Sequence, residues 1–301
     1  MMQGKILIVD DEEFNRDIVR KFLAEERFDI IDCQDGQEAW ERLSAGEKYD
    51  AVLLDRMMPR LNGMELLDKM KRDPNLRRIP VILQTSASAN EQIAEGISLG
   101  AFYYLTKPFD RSILLAVVRS ALMSGREQAK LSADIAGHKG IIHLTQSATY
   151  QFSTLDNARA LVVSLSGAAA DPYATGLGLM ELLVNAVEHG NLGISFEEKV
   201  RLLTTDTYED EIRRRMELSE NQAKRVKVEF SRQGSDIEFR ITDEGAGFDW
   251  KQYLEMSPRR ALARCGRGIL LARSIVFHSV EYSGNGNVVL ARTSRSHNPT
   301  I

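Results

Sequence analysis

The feature that most constrains the fold is a repeated alternation of short apolar runs and helical stretches over residues 1–125. Four apolar runs are predicted as strands, at residues 5–9, 51–54, 80–84 and 102–105. Apolar residues with helical spacing occupy residues 15–25, 38–43, 63–71, 90–99 and 110–123. Continuous apolar runs are typical of strands buried on both faces of a parallel sheet. The alternation therefore predicts a doubly wound α/β domain, with its ligand site beyond the carboxyl ends of the strands.

The predicted strands lead into charged or hydroxyl side chains, namely Asp10, Asp11, Asp55, Thr85 and Lys107. Three carboxylates at one sheet edge repel one another, and their oxygen atoms suit a divalent cation such as Mg²⁺. A lysine and a hydroxyl suit a phosphoryl group carried on a carboxylate. One acid at such a position is often only a helix cap, but five such residues at successive strand ends favour a phosphoryl-transfer site.

Five short motifs stand at these strand ends and in the loops beside them. They are Val9-Asp10-Asp11-Glu12, Leu54-Asp55-Arg56-Met57-Met58-Pro59, Asn62-Gly63-Met64, Thr85-Ser86-Ala87 and Lys107-Pro108-Phe109. Together they closely resemble the response-regulator receiver domain, over residues 3–124. The resemblance implies that Asp55 accepts a phosphoryl group from a histidine kinase. It implies that Mg²⁺ is held by Asp10, Asp11 and Asp55 with the backbone carbonyl of Met57. It also implies phosphoryl contacts from Thr85 and Lys107, and a switch aromatic ring at Tyr104.

A helical connector follows the predicted receiver domain. Asp110 can cap a helix that runs to Leu122, and the apolar spacing allows it to extend past Gly125 as far as Ile135. Its apolar spacing is a weak coiled-coil signal, because a firm one needs three or four heptads. Two interpretations stay open: a last receiver helix followed by a solvated linker, or a signalling helix that also dimerises. Residues 137–140, with glycines at both ends, are expected to break the helix.

The second half of the chain carries different motifs. Asp171-Pro172 predicts a helix start, with an acid at the N-cap and proline at the first position. Glu181 and Asn185 lie four residues apart in this helix, so they share a face. A carboxylate and an amide on one face suit a magnesium–nucleotide site. The alternative is a solvated polar stripe.

Two alternating segments, residues 226–230 and 236–242, predict antiparallel strands joined by a turn at Gly234. The second strand ends in Asp243, followed by Gly245 and Gly247, and glycines let the backbone approach a ligand closely. The segment Gly266-Arg267-Gly268 then opens a further helix, and a glycine-rich helix N-terminus suits phosphate.

These motifs follow one another in the order of the GHKL ATPase fold, which residues 146–293 resemble. Within that fold, they most resemble the anti-sigma-factor serine kinases. The resemblance implies that Glu181 is the general base, that Asn185 binds Mg²⁺ and that Asp243 bonds the adenine amine of ATP. It also implies that Gly245 and Gly247 line the adenine pocket. A lid over the phosphates is implied at Gly266, Arg267 and Gly268. The last strand departs from the family pattern, because Asn287 stands where a threonine is common, although its amide can bond similarly.

A charged insertion, residues 194–222, follows the predicted helix that carries Glu181 and Asn185. It reads either as a solvated amphipathic helix or as a docking element for a protein partner. The net charge of −4 argues against a primary nucleic-acid binder. No apolar run approaches the roughly 18 residues that a membrane span needs. The two cysteines are far apart in the sequence, so a cytoplasmic protein without disulfides is expected.

The sequence therefore predicts an α/β protein of two domains joined by a helical linker. The expected boundaries are a flavodoxin-like receiver domain at 1–124, the linker at 125–145 and a GHKL α/β-sandwich ATPase domain at 146–301. The expected function is a response regulator whose phosphorylation at Asp55 controls an ATP-dependent serine/threonine kinase acting on a STAS-type anti-anti-sigma protein. A sigma factor as a second partner and a homodimer are also expected. Two alternatives stay open: a histidine-kinase-like ATPase, and a module that binds ATP only to sequester a partner.

Overall fold

The computed structural model describes residues 4–86, 95–97, 99–138, 140–205, 207–248, 250 and 276–294. These residues fall into two compact units, one up to Lys130 and one from Leu131 onwards. No helix within the described ranges is both long enough and apolar enough to cross a membrane.

The first unit is built on a parallel sheet of five strands. They are β1 (Gly4–Val9), β2 (Phe28–Cys33), β3 (Ala51–Asp55), β4 (Val81–Thr85) and β5 (Tyr103–Thr106). Their spatial order is β2-β1-β3-β4-β5, and every neighbouring pair is parallel. This is the flavodoxin-like doubly wound order, whose switch point lies between β1 and β3. The predicted fold of the first domain is confirmed.

Among the described residues, three helices connect these strands. They are α1 (Glu13–Leu23), α2 (Gly36–Ser44) and α3 (Gly63–Arg72). Helix α3 begins with a capping box, in which Asn62 accepts from the Glu65 amide and Glu65 accepts from the Asn62 amide. The predicted helix at residues 90–99 lies largely outside the described residues. Strand β2 is absent from the predicted strands because Asp29 and Asp32 interrupt its apolar run, as an edge strand allows.

One long helix, α4 (Arg111–Gly137), runs on without a break past Gly125. Its early apolar residues, among them Leu114 and Val118, lie in the core of the first unit. Near its end, Leu131 and Ile135 contribute to the core of the second unit. The helix therefore extends past Gly125, as its apolar spacing allowed, and ends at Gly137, where a break was expected. Dimerisation through this helix stays a prediction.

The second unit is built on an antiparallel sheet. Its strands are β6 (Ser147–Phe152), β7 (Val226–Gln233), β8 (Asp236–Thr242), β9 (Ser279–Ser283) and β10 (Val288–Ser294), in the spatial order β6-β7-β8-β10-β9. Strand β7 buries every second side chain, which the alternating sequence predicts. Gly234 has φ of 62° in the turn between β7 and β8, as a tight hairpin requires.

Two helices, α5 (Leu155–Ser166) and α6 (Pro172–Asn185), pack with this sheet around one hydrophobic core. The N-cap of α6 is Asp171, whose side chain accepts from the amide of Ala174 at 3.0 Å. The sequence predicts that α6 continues to His189. Instead the α-helix ends at Asn185 and widens into a π-helical turn over Ala186–Asn191.

The insertion folds into three helices, α7 (Phe196–Thr205), α8 (Tyr208–Met216) and α9 (Ser219–Gln222). Leu202 and Ile212 are buried in the core of the second unit. The insertion is therefore packed into the domain, and the expectation of one solvated helix is wrong.

Candidate functional site

The receiver site is organised by Lys107, which follows β5. Its Nζ lies 2.5 Å from Oδ1 of Asp55 and 2.7 Å from Oδ2 of Asp10. The second oxygen of Asp55 accepts from the backbone amide of Met57 at 2.7 Å. Asp10 and Asp55 come together because β1 and β3 are adjacent parallel strands that end at the same sheet edge. The structure thus joins three of the strand-end residues that the sequence predicts.

The charges of this cluster depend on one another. Burial raises the pKa of the Asp55 carboxyl, the hydrogen bond from Lys107 opposes that rise, and the negative charge of Asp10 adds to it. Burial also disfavours the Lys107 cation, but the hydrogen bonds and the negative charges of the two carboxylates together outweigh burial and raise the pKa of Lys107. Lys107 therefore stays charged and helps to keep a buried nucleophile ionised.

The chemistry of these oxygen atoms fits Mg²⁺. Asp10 is 1 % exposed, and its Oδ1 accepts from the Glu12 amide at 3.0 Å and from Asn15 Nδ2 at 3.2 Å. Asp11 follows it with an exposed side chain. In the part of the chain that the structure describes, no three Asp, Glu, His or Cys side chains form a ready-made metal cluster. Two buried carboxylates and nearby backbone carbonyls are nevertheless the hard oxygen ligands that Mg²⁺ prefers.

Thr85 and Tyr104 lie on the adjacent strands β4 and β5. Thr85 ends β4 and is 3 % exposed, and Tyr104 in β5 is fully buried. Sequence reasoning missed Arg56, whose Nη1 lies 3.5 Å from the Tyr104 hydroxyl. Its Nη2 donates to Glu95 at 2.6 Å. The signal for Arg56 was its place directly after the predicted phosphoacceptor.

The second candidate site centres on Asp243, at the end of β8. Its Oδ1 accepts from the backbone amide of Gly245 at 2.9 Å. Burial raises the pKa of this carboxyl to about 6, although the bond from Gly245 lowers it. The Tyr282 ring packs edge-to-face against Phe248, with ring centroids 5.6 Å apart. A poorly hydrated acid beside aromatic rings suits a planar base that carries an amine.

Glycines allow the backbone to close around Asp243. A Cβ atom on Gly190 would lie 2.4 Å from Cγ of Asp243, and one on Gly245 would lie 2.2 Å from the Gly190 carbonyl oxygen. Gly247 has φ of +80°, and a Cβ there would lie 2.2 Å from the Asn285 carbonyl oxygen. Asn287 donates to the Asp243 carbonyl at 3.2 Å, so the residue in the usual threonine position does form a hydrogen bond in this region.

Helix α6 carries Glu181 and Asn185 one turn apart, with Glu181 exposed and Asn185 half-buried. Leu182 and Leu183 are buried on the other side of the helix, as the pattern predicts. The three predicted lid residues, Gly266, Arg267 and Gly268, lie outside the described residues.

A buried ion pair at the end of α6 was not anticipated from the sequence. Glu188 is 1 % exposed and contacts both Lys199 Nζ and the Tyr208 hydroxyl. The neighbouring His189 contacts the Ile194 carbonyl through Nδ1, and burial lowers the pKa of its imidazole. These contacts fasten the insertion to the helix that carries Glu181 and Asn185.

Two family models match the chain, one over each unit. A family model of the response regulator receiver domain matches residues 6–119, and one of the histidine kinase-like ATPase domain matches residues 151–293. Response regulator PleD of Caulobacter vibrioides is 38 % identical over 119 residues, which is 40 % of this chain and 26 % of PleD. The chain thus spans about a quarter of that relative.

Shorter relatives match along most of their length. Chemotaxis protein CheY1 of Helicobacter pylori is 31 % identical over 111 residues, covering 36 % of this chain and 90 % of CheY1. The solved receiver domain of a signal transduction histidine kinase from Syntrophus aciditrophicus is 32 % identical, with a TM-score of 0.38, and covers 40 % of this chain and 90 % of that one. The chain belongs to the response regulator receiver family and carries a histidine kinase-like ATPase domain after its receiver domain.

Proposed function

We propose that phosphorylation of Asp55 controls an ATP-dependent serine/threonine protein kinase in the second unit, which acts on a STAS-type anti-anti-sigma protein. The observation that carries the proposal is the Asp243 site, because a receiver domain alone would need no nucleotide pocket. Asp243 is a half-buried acid enclosed by Gly190 and Gly245, at the end of the strand where the ATPase resemblance places adenine.

In the receiver domain, Asp55 acts as the nucleophile toward a phosphoryl group donated by a cognate histidine kinase. Lys107 lies within hydrogen-bond distance of Asp55, so its charge is available to the phosphoryl oxygens as well. Mg²⁺, held by Asp10, Asp11, Asp55 and the Met57 carbonyl, would supply further positive charge to those oxygens. Thr85 and Tyr104 would then report phosphorylation to the surface of the domain.

In the ATPase domain, we assign base recognition to Asp243, whose carboxylate accepts a hydrogen bond from the adenine amine. Gly245 and Gly247 leave room for the base, and Gly266, Arg267 and Gly268 would cover the phosphates. Asn185 would hold the nucleotide-bound Mg²⁺, and Glu181 would take the proton of the attacking hydroxyl. Phosphoryl transfer needs little more from a protein than positioning, charge and a base.

Two other activities are compatible with the same pocket. A histidine-kinase-like ATPase would transfer phosphate to a histidine of another protein. A sequestration module would bind ATP only to change shape and retain a partner, such as a sigma factor. All three activities require ATP binding, so the transferred phosphate distinguishes them.

The test is incubation of the full chain with radiolabelled ATP, Mg²⁺ and candidate STAS proteins. We expect acid-stable phosphoserine or phosphothreonine on a STAS protein, and much less with an Asp243→Asn control at an ATP concentration that its lowered affinity does not saturate. Acid-labile phosphate on the partner would support the histidine-directed activity. A tight complex without transfer would support sequestration. Light scattering with and without ATP tests the proposed homodimer.

A further inference from the structure

Two further sets of polar contacts hold residues 191–193, at and just after the π-helical turn that follows α6. The first is centred on Arg215 in α8, whose side chain is 16 % exposed. Its Nη1 donates to the carbonyls of Leu192 and Gly193, each at 2.9 Å. Its other nitrogens bond Glu198 at 2.6 Å and Glu211 at 2.8 Å. A guanidinium held by two carboxylates is a rigid donor, so it fixes the two carbonyls in place.

The second set of contacts runs through Lys224, just after the insertion. Its Nζ donates to the Asn191 carbonyl at 2.9 Å and to Oδ1 of Asn221 at 2.9 Å. Asn221 in turn donates to the Arg215 carbonyl at 2.9 Å. Three consecutive backbone carbonyls, those of residues 191–193, therefore accept hydrogen bonds: two from Arg215 in the insertion and one from Lys224, which is itself bonded to Asn221 of the insertion.

The same turn is bonded to the strand end that carries Asp243. Oδ1 of Asn191 accepts from the backbone amide of Glu244 at 2.8 Å. Asn191 is 3 % exposed, and its Nδ2 has no hydrogen-bond partner within the described residues. Its neighbour Gly190 touches both Asp243 and Gly245. The position of Asn191 thus helps to set the position of the Asp243–Gly245 backbone.

We propose that Asn191 is a positioning residue of the nucleotide site, and that Arg215 and Lys224 hold it, so that the insertion is part of the nucleotide-binding apparatus. The inference rests on the proposed ATP site and adds a structural role for residues 194–222. The insertion acts from behind the pocket: it fixes residues 190–193, and these fix the peptide bonds on either side of Glu244. A small shift of those peptides would move the Asp243 carboxylate relative to the adenine amine.

The preference for ATP over GTP distinguishes a positioning role of Asn191 and Arg215 from a role in stability alone. A shifted Asp243 carboxylate loses its bond to the adenine amine but would leave contacts to the sugar and phosphates in place. Loss of one ordinary hydrogen bond corresponds to about a fivefold to tenfold change in affinity. Positioning variants should therefore weaken ATP binding by about that factor while GTP binding changes little, so that the preference for ATP over GTP falls.

The test is titration calorimetry of Mg·ATP and Mg·GTP with the full chain and four variants. Asn191→Ala removes the bond to Glu244, and Arg215→Met removes the bonds to the two carbonyls. Arg215→Lys keeps a cation that can still donate to the carbonyls, so it should recover most of the ATP preference. Arg213→Met is the matched control, because Arg213 lies on the same helix, is 72 % exposed and pairs only with Asp210 among the described residues.

The outcomes are distinct. Reduced ATP preference in Asn191→Ala and Arg215→Met, with Arg213→Met unchanged, supports the inference. Parental ATP and GTP affinities in Asn191→Ala and Arg215→Met overturn it, and so does an equal weakening of ATP and GTP binding. If these two variants lose their fold in thermal scans, Arg215→Lys decides, and an unchanged preference for ATP over GTP in that variant overturns the inference. If the unsubstituted protein binds no ATP, the proposed function itself fails, and the inference fails with it.

Discussion

Asp243 combines a half-buried environment with a carboxyl group that accepts a bond from an amine more strongly when it is ionised. Burial raises its pKa to about 6, so the charged form dominates only above that pH. We expect ATP affinity to increase as the pH rises through about 6 and then to level off. Calorimetric titrations between pH 5 and 8 measure this. Asp243→Asn should abolish the pH dependence together with most of the affinity.

The raised pKa of Asp243 also determines how this residue makes folding stability depend on pH. The folded-state pKa lies above the unfolded value, so the protonated acid is favoured by the fold. The contribution of protonated Asp243 to the free energy of unfolding is present in full below about pH 4 and is lost as the pH rises through about 6. A pH dependence of the opposite sign in the unfolding of the parental chain, relative to Asp243→Asn, would contradict a buried Asp243.

Asp55 is expected to be the acceptor of the phosphoryl group in the receiver domain. Asp55→Asn should abolish labelling by acetyl phosphate, because an amide is not a nucleophile toward phosphorus. The amide oxygen can still accept a bond from Lys107, so the fold and ATP binding should persist. Mass spectrometry of the labelled chain checks the first point and calorimetry the second. Continued labelling of residues 1–124 in the variant would exclude Asp55.

Glu181 and Asn185 should separate chemistry from binding. Asn185→Ala should weaken Mg·ATP binding itself, because the residue is assigned to the metal. Glu181→Ala should leave binding intact but slow transfer by roughly 10²–10⁴-fold, the usual contribution of a general base. Calorimetry and a transfer assay on both variants measure the difference. Transfer at the parental rate by Glu181→Ala would remove the base from the mechanism.

Residues at strand ends were predictable where the fold itself brings them together. Asp10, Asp55 and Lys107 follow parallel strands, and such strands present their carboxyl ends at one edge. Glu188 and Arg215 were not predictable in this way. A charged side chain in a helix looks solvated in the sequence, and only distant partners, here Lys199 for Glu188, show that it is buried.

Helices and strands were predictable where the pattern of their own side chains determines the secondary structure. The apolar runs of β1 and β3 and the alternation of β7 indicate their structure directly. The π-helical turn at Ala186–Asn191 had no such signal in its own side chains, and within it Gly190 closely approaches Asp243, far along the chain. The end of α4 was open because the partners of Leu131 belong to the second half of the sequence.

Gly125 is a weak point inside α4, because glycine in a helix interior costs about 1 kcal/mol relative to alanine. A Cβ there would lie 3.5 Å from Pro80 Cδ, an ordinary contact. Gly125→Ala should therefore stabilise the chain by up to about 1 kcal/mol in urea unfolding. Gly46→Ala is the matched control: nothing lies within 4 Å of its Cβ, but its φ of +88° strains alanine, so it should destabilise. Destabilisation by Gly125→Ala would indicate that α4 is not continuous there.

Across the whole chain, α4 contributes side chains to both hydrophobic cores, and exposed residues such as Arg126 and Lys130 lie between those contributions. We expect the beryllofluoride mimic of phosphorylation to change kinase output through this helix. A typical coupling of about 1–3 kcal/mol corresponds to a 5–150-fold effect on partner affinity. A flexible Gly/Ser segment inserted after Ser124 should abolish the response while both sites stay active.

The assays are acetyl phosphate labelling, ATP calorimetry and partner affinity, each with and without beryllofluoride. An inserted segment of equal length made of alanine and glutamate, which favours helix, serves as the control for length. A full beryllofluoride response in the Gly/Ser variant would show that α4 only tethers the two domains.

The contact between Gly190 and Gly245 has a consequence for how this protein can change over evolutionary time. The two positions meet backbone to backbone, with no room for a Cβ atom on either one. When two large side chains touch, one can shrink as the other grows, and such compensation leaves correlated substitutions among relatives. Neither glycine has an atom to give up, so a larger residue at one position has no compensating partner at the other. Methods that infer contacts from correlated substitution should therefore miss this one, although it lies beside Asp243 in the proposed nucleotide site.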